Sequence, residues 1–272
     1  FRKMKIGIIG YGVVGKAAAH TLSKKYKIVK FDKYAEFDYF EDLEQCDFVF
    51  ITVPTPFDCD KNEVDESAIT ESLDKLDKIG FVNIVIIKST VPPGACSRYS
   101  EKYNLNMVFN PEFLRGGTTP NEDFENQDTI VIGTDNSETF ESVKKMYQAV
   151  SVPHARYYHM TTMEAEMVKC AQNTMLASRV ALANMIYDAC QNHSIEYDKI
   201  RQIAFDNFEI LGPHMVQVPG PDGKRGFGGK CLPKDVRGFS TIHDSELLRK
   251  IIEYNDSLRD DLDKYLMNFK KS

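Results

Sequence analysis

The sequence has few of the features that mark membrane, zinc-binding or nucleic-acid-binding proteins. No stretch reaches the roughly 18 consecutive apolar residues that a membrane-spanning helix needs, and no hydrophobic leader opens the chain. We therefore expect no membrane association and no signal peptide. The six cysteines show no Cys-x-x-Cys pair and no zinc spacing, which predicts reduced thiols, no metal site and a cytoplasmic location. A net charge of −6 argues against a nucleic-acid partner.

The first half of the chain alternates short β-branched runs with amphipathic stretches. This alternation is typical of a parallel sheet covered by helices, and it predicts an α/β, doubly wound domain. The expected strands are Lys5–Gly10, Ile28–Asp32, Phe48–Val53, Ile84–Lys88, Asn106–Phe109 and Thr129–Gly133. The expected helices are Gly12–Ser23, Ser67–Ile79, Ala95–Lys102 and Ser137–Ala149.

The pattern changes after Pro153 to that of an all-helical domain. Strong helix formers without internal proline or glycine predict one long helix. The expected segments are a helix over Thr161–Asn192, a shorter helix near Tyr197–Phe208, a glycine- and proline-rich loop over Leu211–Pro233 and an amphipathic helix over Glu246–Lys270. We therefore expect two domains, covering residues 1–150 and 151–272.

A glycine-rich turn follows the first expected strand and reads Gly10-Tyr11-Gly12-Val13-Val14-Gly15. In a G-x-G-x-x-G pattern the first glycine permits a tight turn, the second lets a pyrophosphate approach and the third lets helix and strand pack closely. Asp32 closes the second strand, where a carboxylate accepts hydrogen bonds from the adenosine ribose and repels a 2′-phosphate. This arrangement favours NAD over NADP, although Lys33 is adjacent. The alternative is a structural turn with a surface aspartate.

Lys169 and Asn173 lie four residues apart on the expected long helix and therefore share a face. A solvated polar stripe is the simpler interpretation of such a pair. However, the neighbouring residues are apolar, and a lysine on a buried face can stabilise an alkoxide as hydride leaves a substrate. Asn173 would position the same oxygen.

Cys231 lies in the most informative stretch, which reads Gly226-Phe227-Gly228-Gly229-Lys230-Cys231-Leu232-Pro233-Lys234-Asp235. The glycines permit positive φ angles and close approach of a ligand. Pro233 and Asp235 are typical of a first helical turn, which places the thiol at a positive helix end with two lysines nearby. Such surroundings favour a nucleophilic thiolate.

These residues resemble the UDP-glucose/GDP-mannose dehydrogenase family. The matching motifs are the Gly10–Gly15 fingerprint, Val53-Pro54-Thr55-Pro56, Lys88-Ser89-Thr90-Val91-Pro92-Pro93-Gly94, Asn110-Pro111-Glu112-Phe113-Leu114-Arg115, Lys169 with Asn173, and Gly226–Asp235. The motifs follow the order of the family over nearly the whole chain. The resemblance implies a Rossmann-type domain followed by a helical catalytic and dimerisation domain.

The resemblance also implies a four-electron oxidation of a nucleotide-sugar C6 alcohol to a carboxylate by two NAD. Cys231 would form a thiohemiacetal and then a thioester that water hydrolyses, with the oxyanion stabilised by Lys169 and Asn173. Asp235 and Thr90 would hold the water, and Glu112 would support hydrolysis as a base. Val53, Pro54, Thr55, Ser89 and Thr90 would line the cofactor site, whereas Phe113, Leu114, Arg115, Phe227 and Gly228 would contact the sugar.

Two departures from the family qualify these expectations. Family members usually carry a glutamate directly after the Pro-Glu-Phe-Leu-Arg run, where this chain has Gly116 and Gly117. The chain also reaches Ser272 before the C-terminal nucleotide-binding domain of the family, so that domain is expected to be lacking, either because the sequence is truncated or because the protein is a natural minimal form. The residues around Cys231 place UDP-glucose first among the substrates, and the terminal helix suggests a homodimer.

Two other functions fit parts of the pattern. A two-electron β-hydroxyacid dehydrogenase would have a similar length and a helical Lys-x-x-x-Asn, but its mechanism does not require Cys231. A dinucleotide-binding module without turnover would be consistent with Gly116 and the absent domain. The retained set of Lys169, Asn173, Cys231 and Asp235 argues against it.

Overall fold

The computed structural model describes residues 3–114, 119–208, 215–243 and 245–268. The chain divides into two compact units. The first comprises the chain up to Thr55 together with Asp65–Lys169, and the second comprises Pro56–Val64 together with the chain from Cys170 onward.

The first unit contains a seven-stranded sheet in the order β2-β1-β3-β6-β7-β8-β9. Its strands are β1 (Lys5–Ile9), β2 (Lys27–Phe31), β3 (Phe48–Ile51), β6 (Ile84–Ile87), β7 (Asn106–Phe109), β8 (Thr129–Gly133) and β9 (Arg156–Met160). All neighbours are parallel except β7 and β8, which are antiparallel. The predicted α/β doubly wound fold is confirmed. The strand order reverses between β1 and β3, and ligands bind at the carboxyl ends of strands beside such a switch point.

Helices cover both faces of this sheet because its central strands are apolar on both sides. Every residue of β3, for example, is buried. The helices are α1 (Val13–Leu22), α2 (Ser67–Lys78), α3 (Ala95–Lys102), α4 (Pro120–Glu125) and α5 (Ser137–Gln148). Two separate clusters of buried apolar side chains fill the space between the sheet and its helices.

The first unit extends beyond the domain boundary expected at residue 150. Strand β9 was not predicted because its Arg-Tyr-Tyr-His-Met sequence has no apolar run, and its residues are only half-buried or exposed at the edge of the sheet. Since β9 pairs in parallel with β8, the segment that contains it belongs to the sheet.

The long helix α6 (Thr162–Asn192) begins one residue after the predicted start. It is followed by α7 (Tyr197–Arg201) and a π-helical turn over Gln202–Asp206, where we had expected one regular helix. Within the described ranges, no helix is both long and apolar enough to cross a membrane.

The second unit is not all-helical, because it contains a small three-stranded sheet. The strands β4 (Phe57–Asp58) and β5 (Glu63–Val64) form an antiparallel hairpin, and β10 (Leu266–Met267) pairs in parallel with β4. The helices α8 (Leu232–Ile242) and α9 (Glu246–Leu258) complete this part of the unit. The hairpin interrupts the first unit in sequence but belongs to the second.

The prediction of a single helix over Glu246–Lys270 was wrong. Helix α9 ends at Leu258, because Arg259 adopts an extended conformation, and a 3-10 turn and β10 follow. Three apolar residues of the terminal segment that suggested a homodimer are buried within the unit: Leu248, Leu262 and Leu266. Leu262 and Leu266 pack against Phe57 of the hairpin.

Strand β10 offers a matched pair of substitutions, since Leu266 is buried and its neighbour Met267 is 38% exposed on the other face of the strand. We expect Leu266→Lys to lower the free energy of unfolding by about 3 kcal/mol, the usual cost of losing a buried leucine. Met267→Lys should change it by less than about 0.5 kcal/mol. Urea unfolding followed by circular dichroism measures both values, and equal effects would contradict the burial of Leu266 by the hairpin.

Candidate active site

The glycine turn after β1 has the geometry that a dinucleotide-binding loop needs. Gly10 has a φ of +90°, in the left-handed region that favours glycine. A Cβ on Gly15 would collide with the carbonyl oxygen of Gly10, whereas a Cβ on Gly12 would meet no atom within 4 Å. Gly12, the N-cap residue of α1, has no side chain that could cap the helix. Open space and uncapped N–H groups at a helix N-terminus are what a pyrophosphate requires.

Asp32 holds this turn from the end of β2. Its Oδ2 accepts a hydrogen bond from the N–H of Tyr11 at 2.7 Å, and its Oδ1 accepts one from the N–H of Tyr34 at 2.9 Å. Each carboxylate oxygen has a further lone pair for a ribose hydroxyl. Lys33 lies 2.9 Å from Glu71, and this hydrogen bond raises the pKa of Lys33. Lys33 is thus engaged by an acid rather than left to attract a 2′-phosphate.

The loops that follow β3 and β6 are tied together by the hydroxyl groups predicted to line the cofactor site. Ser89 Oγ donates to the carbonyl oxygen of Val53 at 2.7 Å, and Thr55 Oγ1 donates to that of Thr90 at 2.7 Å. Both hydroxyl groups thus donate to backbone carbonyl groups of the protein, and these hydrogen bonds fix the backbone of Val53–Thr55 beside Thr90.

A buried lysine–glutamate pair lies where β6 and β7 end. The side chain of Lys88 has no exposed surface, and its Nζ lies 3.2 Å from Glu112 Oε2 and 2.9 Å from Asn110 Oδ1. Tyr147 also donates to Asn110 Oδ1. Burial holds the pKa of Lys88 below its usual range, although Glu112 opposes this shift. The ion pair compensates a charge that would otherwise be costly to bury.

The other oxygen of Glu112 orders the segment predicted to contact a sugar. Oε1 accepts hydrogen bonds from the N–H groups of Phe113 at 2.8 Å and Leu114 at 3.0 Å. These two N–H groups are therefore engaged by the protein, and a substrate would find the carbonyl groups instead. Arg115 and Gly116 lie outside the described residues.

Lys169 is nearly buried on α6, with 8% of its surface exposed. Its Nζ lies 5.5 Å from the centre of the Phe113 ring, in the range of a cation–π contact. In the parts of the chain that the structure describes, no hydrogen bond or ion pair satisfies this ammonium group. A desolvated cation of this kind can stabilise a developing oxyanion.

In the second unit, Cys231 is the N-cap residue of α8 and the only exposed cysteine of the six. Pro233 lies in the first turn, as predicted, and the N–H of Asp235 donates to the carbonyl oxygen of Cys231 at 2.9 Å. The thiol is thus accessible at the positive end of a helix.

Asp235 is 3% exposed, and both of its carboxylate oxygens are engaged. The side-chain amide of Asn173 donates to Oδ2, and the ammonium group of Lys234 pairs with Oδ1. The structure therefore joins two predicted site residues, Asn173 and Asp235, in one buried network. It also gives Lys234 a carboxylate partner, which differs from the expectation that this lysine acts on the thiol.

The glycine-rich loop before Cys231 differs from expectation. Phe227 is 2% exposed and packs in an apolar cluster with α6 and α9, so its side chain does not offer a substrate contact. The space beside Gly228 is filled by the guanidinium group of Arg259, not left open for a ligand. Asn255 of α9 and Arg259 directly after it hold this loop, and both were missed because these positions carry no sequence signal for a partner 28 or more residues away.

Two residues of the first unit were also missed. Thr52 Oγ1 donates to the carbonyl oxygen of Gly10 at 2.6 Å and so fixes the glycine turn. Glu166, fully buried on α6, accepts hydrogen bonds from the N–H groups of Gly94 and Cys96 at the start of α3. Burial raises the pKa of Glu166. The apolar neighbours of this glutamate were the only signal that could have drawn attention to it.

Comparisons with known proteins place these residues in context. Residues 32–151 match the NAD binding domain of the UDP-glucose/GDP-mannose dehydrogenase family, and residues 163–257 match the central domain of that family. A UDP-glucose 6-dehydrogenase from Rickettsia bellii is 33% identical over 247 residues, which cover 86% of this chain and 54% of the relative.

A second relative, the UDP-glucose 6-dehydrogenase from Rickettsia felis, is 32% identical over 80% of this chain and 49% of its own length. The chain thus spans about half the length of these curated relatives. Among solved structures, a UDP-glucose dehydrogenase from Pyrobaculum islandicum superposes with a TM-score of 0.79 at 23% identity, covering 94% of this chain and 69% of that one. This likeness agrees with the fold described above.

The Asp32 geometry predicts a preference for NAD over NADP. Isothermal titration calorimetry should show tighter binding of NAD, and Asp32→Ala should weaken NAD and reduce the preference, because the ribose acceptor is lost. Asp38→Ala is the control, since Asp38 lies in the loop after β2 and accepts from the N–H of Lys30 in that strand, and its loss should leave the preference unchanged. Equal or tighter binding of NADP by the unaltered protein would overturn the assignment.

Proposed function

Because this chain belongs to the UDP-glucose/GDP-mannose dehydrogenase family, we propose that it acts in the NAD-dependent oxidation of a nucleotide-sugar C6 alcohol to the uronic acid. UDP-glucose is the first substrate to test, because the residues around Cys231 resemble those of the UDP-glucose branch of the family. The chain carries the NAD-binding domain of the family. The activity of the whole protein is part of the proposal, since this chain spans about half of its relatives.

One observation carries the proposal: the single exposed thiol lies at the N-terminus of α8, one turn from a buried aspartate that holds Asn173. A helix N-terminus favours a thiolate and the tetrahedral oxyanion formed after its attack. A structural cysteine has no need of either property.

In the proposed reaction, Cys231 Sγ attacks the aldehyde carbon at C6 and forms a thiohemiacetal. Bound NAD would supply the two hydride acceptors, one for the alcohol and one for the thiohemiacetal. Water then adds to the resulting thioester, and the C–S bond breaks to release the carboxylate and the thiol. Lys169 and Asn173, one helical turn apart on α6, stabilise the oxyanion in these steps.

The contacts of Asp235 support a role in holding other groups. The carboxylate accepts a hydrogen bond from the side-chain amide of Asn173 and so fixes that group, which has a second N–H to donate to the oxyanion. In the proposal Asp235 and Thr90 also hold the hydrolytic water. Glu112 could act as the base only through Oε2, and would have to exchange its contact with Lys88 for one with water.

The cofactor proposal rests on the fit of the first unit to a dinucleotide. Gly10, Gly12 and Gly15 provide the open turn, and Asp32 provides the ribose acceptor. The fixed loop at Val53–Thr55 and the residues Ser89 and Thr90 would lie on the nicotinamide side. The cytoplasmic location stays a prediction, consistent with six free thiols.

We also propose a homodimer, through α6 rather than through the C-terminal segment. The exposed residues on one stripe of this helix recur at spacings of three and four, and Met175, Leu182 and Met185 are 65%, 53% and 53% exposed. Small residues flank them: Ala171, Ser178 and Ala189. A stripe of this type matches a second copy of itself across a two-fold axis and permits close helix contact.

Replacing the nucleophile tests the function. The unaltered protein should form two molecules of NADH for each UDP-glucose oxidised. Cys231→Ala should form no uronic acid, because no thioester can be made. Cys59→Ser, which alters a partly buried thiol of the same unit, should retain two NADH per sugar. Mass spectrometry should locate any sugar adduct on the Cys231 peptide.

Other outcomes separate the alternatives. If Cys231→Ala still yields two NADH, the covalent mechanism is wrong. One NADH and an accumulated aldehyde would favour a two-electron enzyme, and NAD binding without oxidation of any nucleotide sugar would favour a binding module.

The dimer proposal predicts that Leu182→Arg yields a monomer at micromolar concentration in light scattering coupled to size exclusion, because a charge would be buried in the contact. Leu247→Arg is the control, since Leu247 is 72% exposed on α9, and it should remain dimeric. If the unaltered protein is a monomer in the same measurement, the dimer proposal is wrong. Loss of the dimer in Leu247→Arg alone would favour the C-terminal region.

A further inference from the structure

Arg259, directly after α9, carries a positive charge in the interior of the second unit. It is 1% exposed, and its side chain has no exposed surface. The guanidinium group pairs with Asp261 through Nε at 2.9 Å and Nη2 at 3.1 Å, and with Asp222 through Nη1 at 2.8 Å. These carboxylates compensate the charge, since an unpaired buried charge is strongly destabilising.

The guanidinium group lies against the backbone of the glycine-rich loop. Its Nη1 is 3.4 Å from the carbonyl oxygens of Arg225 and Gly226. A Cβ added to Gly228 would lie 2.5 Å from Arg259 Cζ, although the φ of Gly228 is not in the left-handed region. A side chain at 228 would therefore have to displace the guanidinium group, whereas the backbone conformation of this residue would accept one.

Asn255, one turn earlier on α9, fixes the same loop. Its Oδ1 accepts from the N–H of Phe227 at 2.6 Å, and its Nδ2 donates to the carbonyl oxygen of Phe227 at 3.1 Å. From the other side, Asn184 of α6 accepts from the N–H of Gly226 at 3.1 Å. The loop is thus held by side chains on two helices.

The same helix also fixes α8, which begins directly after Cys231. Arg237 of α8 donates to both oxygens of Asp256 of α9, at 2.5 and 2.6 Å. The backbone before the thiol and the helix after it are therefore both hydrogen-bonded to residues of α9.

We propose that Arg259 is a positioning residue, which fixes the Gly226–Gly229 backbone and thereby sets the place of the Cys231 thiol at the start of α8. Gly228 serves this contact and not the approach of a substrate. This proposal rests on the proposed function only for the reaction that the thiol performs; the position of the thiol does not depend on that reaction.

The test measures the thiol without turnover. Iodoacetamide alkylation of Cys231, followed by peptide mass spectrometry, gives a rate constant for each native variant well below its melting temperature. Gly228→Ala should lower this rate about fivefold, the size of a lost interaction with a helix N-terminus. Gly220→Ala is the matched control, since a Cβ there makes only ordinary contacts on the same loop, and its rate should not change.

A double-mutant cycle connects the effect to Arg259. Arg259→Lys keeps the charge for Asp261 but removes the planar group beside Gly228, so Gly228→Ala should cost less in that background than alone. In turnover with UDP-glucose, Gly228→Ala should lower kcat by up to about 100-fold, as for a misplaced reacting group, and leave the KM for NAD unchanged.

Equal effects of Gly228→Ala in both backgrounds, or unchanged alkylation in Gly228→Ala and Arg259→Lys, would overturn the positioning role. If Gly228→Ala does not fold, Arg259→Lys alone decides, because positioning requires its alkylation rate to fall. A protein that oxidises no sugar but shows the coupled alkylation rates would contradict the proposed function and leave the positioning role intact.

Discussion

The second unit depends on how it accommodates the buried charge of Arg259. A guanidinium group with no exposed surface needs compensating carboxylates, and Asp222, which precedes the glycine-rich loop, and Asp261, which follows Arg259, supply them. The guanidinium group then occupies the space beside Gly228. A glycine at 228 suits this constraint, and α9 ends at Leu258, directly before Arg259.

The two glycine-rich segments of the chain therefore have different physical origins. In the first unit, Gly12 faces open space and Gly15 faces the backbone of its own turn, which suits an external pyrophosphate. In the second unit, Gly226 and Gly228 face side chains of the protein itself, Asn255 and Arg259. A glycine pattern alone does not distinguish a space kept for a ligand from one filled by a neighbouring side chain.

The elements that the sequence could predict are those with a local cause. Apolar runs and helix formers placed the central strands and α6 within a few residues, since burial on both faces and helix propensity act over short ranges. The edge strand β9 and the short β10 have no such pattern. The apolar spacing through Leu262 and Leu266 resembled a helix, although those side chains pack on a hairpin some 200 positions earlier. Likewise, Cys231 and Asn173 were identified from their motifs, but Glu166, Asn255 and Arg259 become significant only through tertiary contacts.

The hairpin of β4 and β5 has a consequence for the order in which the chain acquires its structure. Its edge is completed by β10, and Asn268 donates to Asp58 across 210 positions. During synthesis, the hairpin leaves the ribosome while most of its own unit has not yet been made. Contacts of such high sequence separation form late, because the entropy of closing the intervening loop must first be overcome. Until then β4 presents an unpaired edge, and a nascent chain of this design is open to chaperone binding or to pairing with another strand.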